Sequence, residues 1–440
     1  MRERKPPPGR AGAVLLVLFA LAPFALWVGW LMRFHVPAPL GDTWELVPLL
    51  QKVHEGAFGF ADLWTARDGH RPVFPTLILL ALAKVTRWQG GYETGLNAAL
   101  AAVFFFTLIL HWRAAARRYA VPWLWLVPLF AALIFSLSQW QNWFVGWQVQ
   151  VFLCAFATWC TFCLLTLPRS GVPDFLLALA LAIVATFSCG SGMMVWAVGA
   201  CLCWLGKEHA RSLYTGVWAA AGIAVFAVHF IGLTPESQSA PGSLLHLVVD
   251  TLIYMGAPIA YGLAGEREML DGLPAMVAGG IGLITWGAAN YALVRRRHEQ
   301  PAWWLPYLGL GLFAVCSALL AAFAPADAPT GMPQGLSSRD ITLANLFWVA
   351  LFAQAWLAWG RGRNARTRWA VVLVFLVVLG AATMRGACLW QLRYPVYRDA
   401  GIAIMRGEEA GAELPLLYPD RGTLRDRAAW LRRQRMGIYR

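Results

Sequence analysis

Residues Ala11–Met32 read AGAVLLVLFALAPFALWVGWLM, an apolar run with no charged side chain. A helix rises about 1.5 Å per residue, so a run of this length covers the roughly 30 Å hydrocarbon layer of a bilayer. Arg2, Arg4, Lys5 and Arg10 precede it. A basic start before an apolar stretch is also the order of a secretory signal peptide. The run, however, exceeds the roughly 7–15 apolar residues of such a segment, and no small-residue cleavage site stands out. The reading is a retained first span with its amino terminus in the cytoplasm.

Outward from that span the pattern repeats. Candidate spans follow at Val73–Thr86, Leu96–Trp112, Val121–Ser138, Val151–Leu167, Phe175–Phe187, Met193–Leu205, Leu213–Leu233, Leu245–Leu263, Leu273–Val294, Trp303–Ala324, Ile341–Trp359 and Trp369–Met384, thirteen with the first. Simple alternation places Arg113–Arg118 and the Lys207–Arg211 stretch outside, against the tendency of basic loops to remain cytoplasmic. Making Val73–Thr86 re-entrant, together with one segment between Leu213 and Val294, removes both conflicts and leaves eleven spans. The fold class expected is therefore all-α, a polytopic transmembrane protein of 11–13 spans. Residues 1–384 form the helical domain, with a first outer loop at 34–71. Residues 385–440 form a small extracytoplasmic tail with a helix over Thr423–Gln434, whose Leu424, Ala428 and Leu431 share a face.

The chain has 440 residues, 59% hydrophobic and 13% charged, with a net charge of +13. Soluble domains average roughly 25% charged residues. The arginines cluster in short loops at span ends, where topology and lipid headgroups account for them, and no aromatic-basic surface marks nucleic acid as a partner. Cys154, Cys160, Cys163, Cys189, Cys201, Cys203, Cys316 and Cys388 fall almost entirely in apolar stretches and read as small buried hydrophobes. Almost none of the 23 carboxylates lies inside a span, Asp250 being nearest to an exception. That scarcity disfavours a proton-coupled carrier, which needs ionisable groups near the midplane.

Acidic groups gather in the first outer loop. Asp42, Glu45, Glu55, Asp62 and Asp68 face Lys52, Arg67 and Arg71 there. Asp42-Thr43-Trp44-Glu45 opens a helix in the form of a capping box. The same spacing puts both carboxylates on one face beside the membrane, where one serves as general base to a hydroxyl, or the two together hold a divalent cation. The loop closes with Asp62-Leu63-Trp64-Thr65-Ala66-Arg67-Asp68-Gly69-His70-Arg71-Pro72, in which Arg71 suits a phosphate. A solvated turn with an Asp68–Arg71 pair is the plainer reading of that run.

An acid just after the first span, a loop of about thirty residues and a proline-bearing charged turn into the next apolar segment together resemble the GT-C superfamily of membrane glycosyltransferases. The likeness is best over Asp42–Arg118. It implies a polyprenyl-phosphate-linked sugar as donor, with a glycan, lipid or protein acceptor. It also implies a place in a bacterial inner membrane, with Asp42 as catalytic acid residue and Asp62, Asp68, His70 and Arg71 as further candidates. Protein-mannosyltransferase and aminoarabinose-transferase relatives often have adjacent acids and a Lys-Pro-Pro entry. Here the acids are Asp42-x-x-Glu45 and the entry is His70-Arg71-Pro72-Val73-Phe74-Pro75.

Three more clusters fit an outer cavity. Ser138–Trp143, with Gln141 and Asn142, and Gly146–Gln150, with Gln148, interleave amides with indoles, a combination suited to sugars and equally to interfacial anchoring. Ser188-Cys189-Gly190-Ser191-Gly192 breaks an apolar stretch and reads as an anion-binding turn or a plain connection. Arg339, at an outer span mouth, is a candidate for a lipid-linked phosphate. A glycan polymerase or ligase and a non-enzymatic lipid-linked glycan flippase are the competing functions. The first wants a larger late outer loop, the second charges along a spanning path.

Overall fold

The computed structural model describes residues 10–67, 69–167, 171–206, 211–233, 243–263, 272–296, 303–323, 336–407 and 416–439. In chain order its helices are α1 (Arg10–Arg33), α2 (Leu46–His54), α3 (Phe60–Trp64), α4 (Val73–Thr86), α5 (Gly90–Arg118), α6 (Val127–Ile134), α7 (Trp140–Phe144), α8 (Val149–Leu165), α9 (Val172–Thr186), α10 (Met194–Gly206), α11 (Arg211–Phe230), α12 (Leu244–Ala260), α13 (Gly272–Arg295), α14 (Leu305–Phe323), α15 (Ile341–Trp359), α16 (Ala365–Arg406) and α17 (Arg421–Gln434). Short 3-10 turns join several of them. Among the described residues nine helical segments are long and apolar enough to cross a membrane, and α4, α9, α10 and α12 are shorter apolar helices. All thirteen apolar segments are therefore helical, and the protein is a polytopic helical membrane protein.

The helix ends sort into two faces. At one, which we term the loop face, Trp390 Nε1 donates to Phe34 O, Phe74 N to Phe187 O, and Trp147 N to Thr43 Oγ1. At the other, the arginine face, Trp112 Nε1 donates to Trp123 O, Trp356 Nε1 to Pro122 O, and Arg296 Nη1 to Ala358 O. These contacts decide which segments cross. Helix α4 begins at the Phe74–Phe187 bond, and just beyond its end Arg87 O accepts from Gly437 N, also on the loop face. It packs over α2 and leaves Leu77 and Val85 exposed along one side, with Lys84 beside them. With both ends on the loop face, α4 does not carry the chain across. Helix α11 ends on the loop face, where His229 O and Ile231 O meet Arg71. Helix α12 finishes there too, since a Cβ on Gly262 would meet Ala381 and Ala382 of α16 at under 3 Å. It thus adds no net crossing. The remaining eleven helices alternate, and the arginines of the α5–α6 connection fall on the same face as Arg361–Arg368.

Close backbone approach sets the packing. A Cβ on Gly256 would lie 1.8 Å from Ala275 O, and one on Gly279 2.0 Å from Leu252 O, so α12 and α13 pack with small residues between their backbones. Gly386 of α16 lies against Leu137 O, 2.1 Å from where its Cβ would be. The last apolar segment, expected to end at Met384, instead continues unbroken to Arg406. Its 42 residues make a rod of about 63 Å, longer than any bilayer crossing needs. The expected boundary between spans and tail therefore falls inside one helix, and Pro395 is accommodated within it.

Candidate active site on the loop face

Asp42 sits in the 3-10 turn Gly41–Glu45, with its side chain exposed. The capping box expected here does not form. The N-cap is Leu40, no side chain caps the turn, and Glu45 turns elsewhere. Trp44, fully buried, anchors the turn by donating from Nε1 to Pro39 O at 2.7 Å. From the far end of the chain, Leu417 O accepts from Gly41 N at 2.9 Å.

Glu45 is held by that same distant segment. Arg427 donates to its two carboxylate oxygens at 2.8 and 3.2 Å, and Tyr418 Oη donates to Oε1. Partial burial works to raise the Glu45 carboxyl. The hydrogen bonds from Arg427 and Tyr418, with the charges of Arg427 and Arg67, outweigh this and hold it below its ordinary 4.5. With both oxygens engaged by a guanidinium, Glu45 does not fit a cation ligand set with Asp42. Among the described residues no group of three or more His, Cys, Asp or Glu gathers as a metal site.

The depressed carboxyl gives a pH test. A group whose folded value is lowered contributes stability that is fully present above its unfolded value and is lost as pH falls through the folded one. Docking of α17 on α2 should therefore hold from neutrality down to about 4.5 and loosen only below it. The mobility of a spin label at Arg433→Cys reports this directly. Loosening between neutral pH and about 5 would assign the docking to other groups.

Arg71 is placed differently from the phosphate-facing position expected of it. It is 3% exposed and stacks over Trp64 at 4.7 Å. It donates to three backbone carbonyls: from Nε to His229 O at 2.9 Å, and from its two terminal nitrogens to Trp64 O and Ile231 O. A buried guanidinium satisfied in this way is a staple between the first loop and the end of α11. Asp62 caps α3 by accepting from Gly59 N at 2.9 Å and pairs with Lys52. The Lys52 hydrogen bond, with that from Gly59, holds its carboxyl low. Asp68 lies outside the described residues.

One continuous strip, Ser138–Gln150, touches the other candidates in turn. Gln141 Oε1 accepts from Arg339 N at 3.1 Å and from Ser337 Oγ at 3.3 Å, and Gln141 N donates to Ser338 Oγ. Asn142 Nδ2 donates to Arg339 O at 2.7 Å and Thr342 Oγ1 at 2.6 Å. The backbone of Arg339 is thus pinned at both N and O, while its side chain is exposed. Further along, Trp147 carries Arg67 over its ring at 4.9 Å, and Arg67 also donates to Glu45 O. Gln148 stands in the 3-10 turn Gly146–Gln148, half-buried. Gln150 Oε1 meets His70 Nε2 at 3.1 Å. The 188–192 run forms the 3-10 turn Gly190–Met193 beside it, where a Cβ on Gly190 would touch His70 at 3.7 Å.

Of the residues expected in the site, the fold brings Gln141, Asn142 and Arg339 together. Arg67, Tyr418 and Arg427, which meet Glu45, were not among them. Arg67 stood in plain view within the closing run of the first loop. The other two bind a partner more than 370 residues away, for which a single sequence has no local signal.

No protein-family model matches the chain, and no curated protein does. Among solved structures it is similar to two crystal structures of ArnT from Cupriavidus metallidurans. One is bound to undecaprenyl phosphate (TM-score 0.46) and one is in the apo state (TM-score 0.43). In both cases the identity is 13%, over 95% of this chain and 74% of that one.

Proposed function

We propose that this protein is a membrane glycosyltransferase that moves a sugar from a polyprenyl-phosphate donor to an acceptor hydroxyl on the loop face. The observation that carries the reading is the Ser138–Gln150 strip. It ties the turn bearing the exposed Asp42 to the turn bearing the exposed Arg339 through direct hydrogen bonds. A carboxylate and a guanidinium on rigid turns at a lipid-level face are the two groups that transfer from a lipid phosphate requires.

In this reading the acceptor hydroxyl gives its proton to Asp42 as its oxygen attacks the sugar's anomeric carbon. The bond from that carbon to the phosphate oxygen breaks, and its electron pair leaves on the phosphate. Arg339 stabilises the charge gathering there. Attack opposite the leaving group inverts the anomeric centre. Glu45, paired with Arg427, positions the turn and takes no proton. The test is release of polyprenyl phosphate from a labelled polyprenyl-phosphate sugar by the purified protein. If no sugar of that class turns over with any hydroxyl acceptor, the reading fails.

The same reading puts the arginine face in the cytoplasm and the loop face outside. Single cysteines at Gly407 and Arg363 should then react with an impermeant maleimide from opposite sides of the membrane. Labelling of both from one side would remove the eleven-span arrangement.

A further inference from the structure

Three arginines converge on the last carbonyls of α15. Arg296 Nη1 donates to Ala358 O at 3.0 Å, Arg363 Nε to Trp359 O at 3.3 Å, and Arg368 Nη2 to Gly360 O at 3.5 Å. A helix carboxyl end carries the equivalent of about half a negative charge. Three guanidinium groups over-compensate it several-fold. Among the described residues no carboxylate pairs with them, and the sequence has none between Glu93 and Asp174, between Asp271 and Glu299, or between Asp340 and Asp399. Those intervals contain all of α6, α13, α15 and the membrane-crossing part of α16. Among the described residues none of the three arginines has an ion-pair partner. Arg368 is 7% exposed, and its buried Nε has no hydrogen-bond acceptor. Leaving a buried charged donor unmet is costly unless something else meets it.

Trp359, Gly360 and Arg363 line one end of a cavity of about 350 Å³ between α6, α12, α13, α15 and α16. Its walls are apolar apart from Thr285 and Arg363, with Trp348, Trp356 and Trp359 stacked along α15. Ile281 and Thr285 of α13 border its lipid side. An apolar slot thus ends at Arg363, with Arg296 and Arg368 held on the neighbouring carbonyls Ala358 O and Gly360 O. We infer that this is a binding site for an anionic glycerophospholipid, with one acyl chain in the α13–α16 slot and its phosphate on Arg296, Arg363 and Arg368. Basic sites between spans at this face suit anionic headgroups, each arginine strengthening the attraction about fivefold. The site lies at the opposite end of the bundle from Asp42 and does not depend on the chemistry proposed there.

Native mass spectrometry of the full chain released from nanodiscs tests it. The nanodiscs contain phosphatidylcholine alone or with phosphatidylglycerol. Retention of phosphatidylglycerol is expected, with little phosphatidylcholine. Arg296→Gln and Arg363→Gln lie at the surface end of the site and should each lower that retention about fivefold, and together more steeply. Ala278→Phe, which fills the slot from α13, should lower it with all three arginines intact, and a monodisperse elution profile establishes that each variant is folded. Equal retention of the two lipids overturns the inference, as does retention unchanged in the arginine pair. Exclusive recovery of a polyprenyl phosphate would overturn the choice of occupant.

Discussion

Asp42→Asn is expected to lose on the order of 10²–10⁴ in sugar-transfer rate, with expression and elution profile unchanged. The substitution keeps the size and hydrogen-bonding shape of the side chain and removes only its capacity to take a proton. A helix-cap role would make it nearly silent, because asparagine caps about as well as aspartate. Here the amino end of the turn is set by Leu40 with no side-chain cap, so a loss cannot be assigned to capping. Nor does a general collapse of the loop follow, since Trp44, Gly41 and Thr43 are held by contacts that do not involve the Asp42 carboxylate. Wild-type turnover in Asp42→Asn would end the assignment of Asp42 as base.

The second large effect is expected at a residue remote in sequence. Arg427→Ala removes both guanidinium bonds to Glu45 and leaves a half-buried carboxylate with Tyr418 as its remaining side-chain donor. The turn that carries Asp42 then loses its main brace. Misplacing a catalytic group by about an ångström costs on the order of 10² in rate, and the loss should fall on kcat with KM for the lipid donor little changed. Arg427→Lys keeps the charge without the two-pronged geometry and should recover only part of the rate. Reversing the pair, with Glu45→Arg and Arg427→Glu together, should recover more than either single change, which a purely destabilising role would not produce. If Arg427→Ala retains full kcat, the C-terminal helix is an appendage and the loop is self-supporting.

The membrane architecture was legible because lipid imposes a single strong constraint, a long apolar helix per crossing, and among the described residues nine segments satisfy it locally. The conflict between simple alternation and the basic loops at Arg113–Arg118 and Lys207–Arg211 already pointed to two segments that do not cross, and α4 and α12 are the two that fit this by where their ends lie. The extension of α16 past Met384 was hidden because Leu389–Arg406 is mixed in polarity and contains Pro395, which reads as a helix end. Within the site, polar residues between apolar segments marked the Ser138–Gln150 strip and Arg339. Individual roles were less legible. Arg71 and Arg339 look equivalent as residues, yet one is buried against carbonyls and the other exposed on a pinned backbone. Asp42 and Glu45 differ in the same way, and only the arrival of Tyr418 and Arg427 separates them.

That arrival has a consequence in time. Glu45 and Arg427 are 382 residues apart, and chains grow at about 5–20 residues per second. The first loop therefore emerges and waits on the order of tens of seconds for its brace, while the ten later crossing helices are threaded and packed. During that interval Asp42 rides on a turn without its clamp. A ribosome that stalls, or a stop that falls, between Arg406 and Arg427 leaves a bundle already inserted and largely packed with its candidate active site unfinished. On the proposed reading, activity then awaits the segment bearing Tyr418 and Arg427, and a defect there acts on a loop translated long before it.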